Sequence, residues 1–247
     1  ISVQLFQFFK QSSLDGLFYY LGERHFNFDT PNLARFTFLG QNLLRVPSLF
    51  SHPNSLAGYL LVTLFLIQNT KYKILILISL LLTSSKSAIF ALAIYFLFSK
   101  YSKYIIIFSI IISILLLVIP GPDPESINNY SINSRFSLIS QTQQILPQHL
   151  LLGVGLGNFI PTLAQELPGS HLTVERLQPV HNIFLLLLVE LGFPIFIYLT
   201  YLLTSEIRDL RSKQSILLLI AITGFFDHYW LTLPQNRLIL ALIFGIL

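Results

Sequence analysis

Long runs of apolar residues constrain this chain more than any other feature of its sequence. Two of them, YIIIFSIIISILLLVI (104–119) and HNIFLLLLVELGFPIFIYLTYLLT (181–204), approach or exceed the length that crosses a hydrocarbon layer about 30 Å thick. The runs do not alternate between polar and apolar residues, so helices rather than strands are predicted. Hydrophobic residues make up 53% of the 247 residues and charged residues only 11%, too few for a water-soluble surface. The sequence therefore predicts an all-α, polytopic helical membrane protein.

We expect a single polytopic membrane domain over residues 1–247, with four parts. Residues 1–54 form a short helix and an outer-face segment, in which Asp29, Pro31, Pro47 and Pro53 prevent a long helix. Membrane helices follow at 55–119, with a broken hairpin at 74–98. A large outer loop at 120–180 carries amphipathic helical sequence, and further membrane spans follow at 181–204, 216–232 and 238–247.

Basic residues between the apolar runs predict the orientation. Such residues accumulate on the cytoplasmic side of membrane proteins, and here they are Lys71, Lys73, Lys100, Lys103, Arg208, Arg211 and Lys213. The loop 120–180 and His181 then lie on the outer face. The chain does not begin with methionine, and we expect it to be part of a longer protein. Cysteine is absent, which excludes disulfides and thiolate metal sites.

His181 is the first candidate for chemistry, because it stands with Asn182 at the mouth of a predicted membrane helix. It is either an interfacial helix cap or a general base, a role that suits an imidazole. Glu190 lies nine residues further along, on the opposite face of the same helix, so the two are not expected to be partners. An ionisable group at that depth usually faces protein or a wet cavity, and a structural role for Glu190 is favoured.

Two cations are candidates for binding an anion. Lys86 lies in SSKSA between two short apolar runs, where the alternative is an ammonium that reaches the membrane surface. Arg135 follows Asn133 and Ser134, residues that cap helix N-termini, and a helix start with a guanidinium favours phosphate. The alternative is an ordinary surface arginine. Arg45, Asn54, Asn182 and Glu190 are possible accessory residues, and His52, Asp227 and His228 are further polar residues near predicted outer ends.

The glycine-rich stretch GVGLGNF (153–159) does not have the spacing of a dinucleotide-binding loop and lacks its βαβ context. Its glycines instead indicate a tight turn where the chain meets another segment or a substrate. The residues show no His, Asp or Glu cluster with metal-ligand spacing, so no metal is predicted.

Four stretches give the chain a resemblance to a known family: RVPSLFSHPNSLAGYLL, LLTSSKSAIFALAIYF, SRFSLISQTQQILPQHLLLGVGLGNF and PVHNIFLLLLVELGFPIF. Together they resemble the superfamily of O-antigen ligases and O-antigen polymerases, over about residues 40–247. This resemblance implies an inverting membrane glycosyltransferase of the bacterial cytoplasmic membrane, with its active site on the periplasmic face. The donor would be an undecaprenyl-diphosphate-linked glycan and the acceptor a hydroxyl group of a glycan, lipid or protein, with no metal or cofactor.

The resemblance also implies residue roles. His181 matches the family's proposed base, and Arg135 matches a loop arginine that holds the diphosphate. Lys86 stands where the family usually has arginine, which keeps the charge but loses the planar fork that binds phosphate through two hydrogen bonds. Two rival classes stay open: a transporter or flippase for lipid-linked oligosaccharides, which also uses broken helices, and a non-catalytic membrane scaffold.

Overall fold

The computed structural model describes residues 1–31, 33–118, 130–167, 177–206 and 211–246. It is 70% helix and 4% strand, which confirms the all-α class. The elements in chain order are α1 (Ser2–Lys10), α2 (Leu17–Tyr20), β1 (Arg35–Phe38), β2 (Gln41–Leu44), α3 (Pro53–Leu66), α4 (Thr70–Leu82), α5 (Lys86–Phe98), α6 (Ser102–Val118), α7 (Tyr130–His149), α8 (Phe159–Glu166), α9 (Ile183–Glu206), α10 (Arg211–Phe226), α11 (Tyr229–Thr232) and α12 (Pro234–Ile246). Parts of the predicted outer loop, at 119–129 and 168–176, and Arg208 lie outside the described residues.

The chain divides into two compact units. Unit 1 contains Ile1–Ser99, Ser215–Thr223 and Leu233–Leu247, and unit 2 contains Lys100–Gln214 and Gly224–Thr232.

In unit 1, α3 packs against α4, α5 and α12. The helix starts at His52, whose Nδ1 accepts a hydrogen bond from the Asn54 backbone N–H at 3.1 Å, with Pro53 in the first turn. Buried leucines along α3 form much of its contact surface, and the Ser55 hydroxyl donates to Asn236 of α12. The apolar run that predicted a span at 55–69 is therefore a helix that begins two residues earlier.

The N-terminal segment of unit 1 contains a β-hairpin that the sequence pattern did not predict. Strands β1 and β2 pair antiparallel from Arg35↔Leu44 to Phe38↔Gln41. A two-residue turn joins them, with positive φ at both Leu39 and Gly40, as in the tight turns that suit the strand twist. Leu44 packs with Phe26 and Val46 in a small separate core.

Unit 2 is built on α6, α7, α8 and α9, and its core includes Leu138, Ile145, Phe159, Leu185 and Val189. One expectation is wrong here: α7 begins at Tyr130, so Asn133 and Ser134 lie inside the helix and do not cap it. The caps were inferred from residue type alone, but the hydrogen-bonded turn starts upstream of them. Arg135 therefore lies within α7, and its side chain is partly exposed.

Among the described residues, the stretch Ile183–Ser205 of α9 is the one helix both long and apolar enough to span a membrane. Four apolar helical stretches are shorter: Pro53–Leu66, Lys86–Phe98, Tyr104–Leu116 and Ser215–Phe226. The continuous helix expected at 216–232 is interrupted, because α10 ends at Phe226 and α11 starts at Tyr229. The carboxylate of Asp227 accepts the His228 backbone N–H there, a side-chain bond that competes with helix continuation.

The helix α9 is broken at Gly192, which has φ 75° and ψ 165°. Two residues later Pro194 lacks a backbone N–H, so the Glu190 carbonyl loses its helical donor. The Phe193 N–H donates to the Leu150 carbonyl instead of to Val189. The freed carbonyls of Val189 and Glu190 accept hydrogen bonds from the N–H groups of Val154 and Gly155, both at 2.9 Å. The segment 150–158, called here the glycine loop, thus completes the hydrogen bonding of the helix break.

Candidate functional site

The side chains of His181, Asp227 and His228 come together in unit 2, and we call this set the histidine cluster. His181 Nδ1 lies 3.4 Å from Asp227 Oδ1, and the two imidazole rings are 4.8 Å apart between centroids. The Asp227 side chain is almost fully buried, at 6% exposed, whereas that of His181 is 22% exposed. The cluster therefore pairs a buried carboxylate with an imidazole that solvent or a ligand can reach.

Local structure holds each member of the cluster in place. His181 directly precedes α9, whose N-cap is Asn182: its Oδ1 accepts the backbone N–H groups of Phe184 and Leu185. The Asn182 side-chain amide also donates to the Ser113 hydroxyl of α6 at 2.9 Å. The residue predicted as accessory is thus buried and fixes the helix start, which in turn fixes His181.

On the other side, Asp227 and His228 occupy the two-residue break between α10 and α11. His228 Nδ1 lies 2.6 Å from the Thr232 hydroxyl one helical turn away, which orients its ring. The short helix α11 begins with two buried residues, Tyr229 and Trp230. The break therefore presents two polar side chains from a position anchored by two large aromatic ones.

This arrangement permits base chemistry at His181. When Nδ1 carries the proton and faces Asp227, Nε2 has a free lone pair that can accept a proton. A carboxylate on the far nitrogen holds the ring in that tautomer and stabilises the cation that forms. The 3.4 Å separation is longer than an optimal hydrogen bond, as is common for catalytic pairs without substrate.

The same three residues offer ligand atoms for a metal ion, all within 4.8 Å of one another. Zn²⁺ bonds of about 2.1 Å in a tetrahedron place ligand atoms about 3.4 Å apart. The His181–Asp227 distance fits that spacing, but the largest separation in the cluster exceeds it. The donor set suits zinc once the side chains close, and a metal on His181 Nδ1 would leave the ring proton on Nε2, which could then no longer act as the base.

Glu190 does not take part in the histidine cluster, as its position on the opposite helix face predicted. Its carboxylate accepts hydrogen bonds from the backbone N–H groups of Gly157 and Phe159. Phe159 is the first residue of α8, so the carboxylate satisfies one free amide at that helix start and one amide of the glycine loop. Glu190 therefore ties the glycine loop and α8 to α9.

Of the other predicted residues, Arg45 and Asn54 lie together in unit 1. The Arg45 guanidinium donates to the Asn54 side-chain oxygen and, at 2.8 Å, to the Thr83 carbonyl at the end of α4. Arg45, which follows β2, thus links the start of α3 to the end of α4. Lys86 is the exposed first residue of α5, next to the turn at Thr83–Ser85. Arg135 lies in unit 2, on a helix that packs against α9.

The sequence predicts Asp227 and His228 as polar residues near an outer end but does not relate them to His181. They are 46 and 47 residues away along the chain, and no local spacing relates them. The available signal was the polar pair in the otherwise apolar run ITGFFDHYWLTL, which marked a break in the helix predicted there.

A cavity of about 570 Å³ lies elsewhere, in unit 1, between α1, α3 and α4. Its walls are mostly apolar, with Leu56, Leu60 and Ile76 among them, and Tyr59 and Tyr72 contribute aromatic rings. None of the residues predicted for catalysis or diphosphate binding lines it.

No family model, no curated protein and no solved structure matches this chain.

Proposed function

We propose that the chain is a multi-pass membrane glycosyltransferase that transfers a glycan from a lipid-diphosphate donor to an acceptor hydroxyl, with His181 as general base. The observation that carries the proposal is the pairing of a partly exposed imidazole with the buried Asp227 carboxylate, 3.4 Å away, at the start of the longest apolar helix. The order of motifs, which resembles that of O-antigen ligases and polymerases, supplies the donor and the reaction.

Exposed apolar side chains support the membrane part of the proposal. Large hydrophobic residues are exposed along several helices: Ile74, Ile78 and Leu81 on α4, Phe96 and Leu97 on α5, Phe108 and Ile111 on α6, Ile195 and Ile197 on α9, and Leu238 and Leu242 on α12. Soluble proteins rarely expose so many large apolar side chains along their helices, whereas lipid solvates such side chains. Helices of 13–17 residues are about 20–26 Å long, and local thinning of the bilayer lets such helices span it.

In the proposed reaction the acceptor hydroxyl donates its proton to His181 Nε2 as its oxygen attacks the anomeric carbon of the donor sugar. A new C–O bond forms on one face, and the bond to the diphosphate oxygen breaks on the other. The diphosphate leaves with the electron pair, so the configuration at the anomeric carbon inverts. Asp227 stabilises the imidazolium. The resemblance alone gives Arg135 and Lys86 the neutralisation of the charge on the leaving group.

The test is transfer by the detergent-solubilised protein, measured as release of undecaprenyl diphosphate from bacterial lipid-linked glycans in the presence of candidate acceptors. We expect His181→Gln to lower the rate about 10²–10⁴-fold, the usual contribution of a general base. His25→Gln is the matched control, because His25 Nδ1 also faces an aspartate, at 2.7 Å. Full transfer by His181→Gln would show that His181 is not the base.

The second candidate function is transport of a lipid-linked oligosaccharide, and the helix break at Gly192 favours it. In transporters, broken helices expose backbone groups that coordinate ions or substrates. Here the carbonyls of Val189 and Glu190 are already bonded to the glycine loop, which favours the transferase. Activity in detergent separates the two functions, since a transferase forms product in micelles and a transporter needs a closed membrane.

A further inference from the structure

The glycine loop lies against the middle of α9. The partners of its backbone hydrogen bonds, Val189 to Phe193, are six to ten residues from the start of α9 at Ile183. At 1.5 Å per residue this is about 9–15 Å along the helix. If α9 spans the bilayer, as the proposed function requires, the loop reaches the depth of the hydrocarbon.

Irregular backbone is tolerated at that depth only where its polar groups are satisfied within the protein. The glycine loop meets this requirement at its closest approach to the helix. The N–H groups of Gly153, Val154 and Gly155 donate to the carbonyls of His149, Val189 and Glu190. The carbonyl of Leu150 accepts from Phe193, and Glu190 accepts from Gly157 and Phe159. This bonding is unnecessary for a loop in water, where solvent would satisfy the same groups.

Three leucine side chains of the loop point outward, whereas Val154 packs against the core of unit 2 and Asn158 is an exposed polar residue. Leu151, Leu152 and Leu156 are 71%, 87% and 71% exposed. No charged residue occurs from Leu150 to Gln165 in the sequence. The second half of α9, beyond the break, continues this surface with the exposed side chains of Phe193, Ile195 and Ile197.

We propose that the glycine loop is re-entrant and that Leu151, Leu152 and Leu156 lie among the acyl chains of the membrane lipid. This inference rests on the membrane part of the proposed function. Acyl chains are the partner of this surface because three features occur on the glycine loop together. Its backbone groups are hydrogen-bonded within the protein, its leucines are exposed, and it contacts the middle of α9, the proposed membrane span. The outer loop between α6 and α9 then enters the bilayer between α7 and α8.

Because the 247 residues contain no cysteine, a spin label can be attached at one introduced cysteine without removing others. Single-cysteine variants of the full chain, Leu152→Cys and Leu156→Cys, are spin-labelled and reconstituted in phosphatidylglycerol and phosphatidylethanolamine vesicles. Power saturation then compares relaxation by oxygen, which concentrates in hydrocarbon, with relaxation by a water-soluble nickel complex. Two reference variants are used. Ile197→Cys, at an exposed position of α9, is the reference for lipid, and Asp29→Cys, at an exposed position of the N-terminal segment, is the reference for water.

We expect labels at 152 and 156 to match the label at 197, with strong relaxation by oxygen and weak relaxation by nickel, and the label at 29 to show the reverse. Strong nickel relaxation at 152 and 156, with a lipid-like label at 197, overturns the re-entrant loop and leaves the membrane proposal standing. Labels at 152 and 156 that neither reagent reaches also overturn it, because they indicate a protein contact. A water-exposed label at 197 overturns both proposals.

Discussion

The backbones of Gly153 and Gly192 lie so close that a Cβ atom on either would sit 2.6–2.7 Å from the amide nitrogen of the other. No real Cβ atom tolerates that distance to a backbone atom. The first glycine belongs to GVGLG and the second to ELGFP, two motifs 39 residues apart in the sequence. The glycine loop and the broken helix α9 are therefore one interlocked feature, and its position fixes the start of α8 through Glu190.

Alanine at either glycine is expected to destabilise unit 2. Both glycines have positive φ, 71° and 75°, and the added methyl group meets backbone rather than a mobile side chain. Strain and overpacking together predict a loss of about 2–5 kcal/mol for each substitution. Thermal unfolding in detergent, followed by circular dichroism at the helical band, measures the change.

Gly157→Ala is the matched control for the close approach. Gly157 has the same φ of 75° but nothing within 4 Å of its Cβ position, so only backbone strain of about 1–2 kcal/mol is expected. Gly245→Ala, in open space on α12, should be close to neutral. Equal losses at 153, 192 and 157 would show that crowding contributes nothing.

The sequence predicted this feature only in part, for a physical reason. The glycines of 153–159 indicated a tight turn against another segment, and the structure confirms that at Gly153. The run length predicted a helix over 181–204, and Pro194 was visible in it, but the partner of the freed carbonyls was not. Hydrophobic period and turn residues are local signals, whereas the pairing of Val189 with Val154 arises only when α7 and α9 pack.

The same limit applies to the candidate site: features set by local spacing were predicted, and partners distant in the sequence were not. The position of His181 at a helix mouth and the structural role of Glu190 followed from spacing and depth along one helix. The Asp227 partner did not, because the apolar run over 216–232 resembled one continuous helix. Arg45 and Asn54 were chosen for their polarity near a predicted outer end, and their contacts join helices within unit 1.

The Asp15–His25 pair should make the stability of unit 1 depend on pH in the acid range. Hydrogen bonds from His25 and then Ser13 lower the pKa of Asp15 below its ordinary 3.8. The pair therefore stabilises the fold fully above about pH 4, and this contribution is lost as pH falls through the lower folded value. Asp15→Asn should lower the melting temperature slightly at pH 5, since both side chains are well exposed.

The difference between the native protein and Asp15→Asn should then shrink as the pH falls through the lowered folded pKa of Asp15. Asp29→Asn, on the same exposed segment, is the control for the loss of one exposed carboxylate. A melting-temperature difference that is the same at pH 5 and at pH 2.5 would rule out a pH-dependent contribution from this pair.

Zinc should inhibit rather than support the proposed transfer. The histidine cluster can close on a divalent ion, but that ion would take an imidazole nitrogen of His181. We expect transfer to survive treatment with EDTA and to fall in micromolar zinc. His228→Gln removes one ligand and should weaken the zinc inhibition about 10- to 100-fold. Loss of transfer in EDTA and its recovery with zinc would instead make the cluster a catalytic metal site.

Substitutions at the two proposed diphosphate ligands should act on donor binding. Arg135→Gln should raise the KM for the lipid-linked donor about 10- to 100-fold, since a charged hydrogen bond is lost. Lys86→Arg should lower that KM, because the guanidinium fork binds two phosphate oxygens at once. Arg35→Gln is the control: this exposed arginine of β1 packs over the Phe28 ring. A KM that responds to Arg35→Gln as strongly as to Arg135→Gln would indicate a general charge effect.

The role assigned to Asp227 as the residue that positions His181 makes a distinct kinetic prediction. Asn at this position keeps an oxygen for the His228 backbone N–H, a bond of 2.8 Å, so the break between α10 and α11 should survive. The substitution removes the negative charge that stabilises the imidazolium of His181. We expect kcat to fall at least about 10-fold, and by no more than the 10²–10⁴-fold cost of losing the base itself. KM for donor and acceptor should stay unchanged, because Asp227 touches neither in the proposed reaction.

The double variant His181→Gln with Asp227→Asn should then be no slower than His181→Gln alone, since a positioning residue acts only through the base. Independent, multiplying losses in the double variant would mean that Asp227 acts elsewhere, and the pairing with His181 would not be the origin of activity.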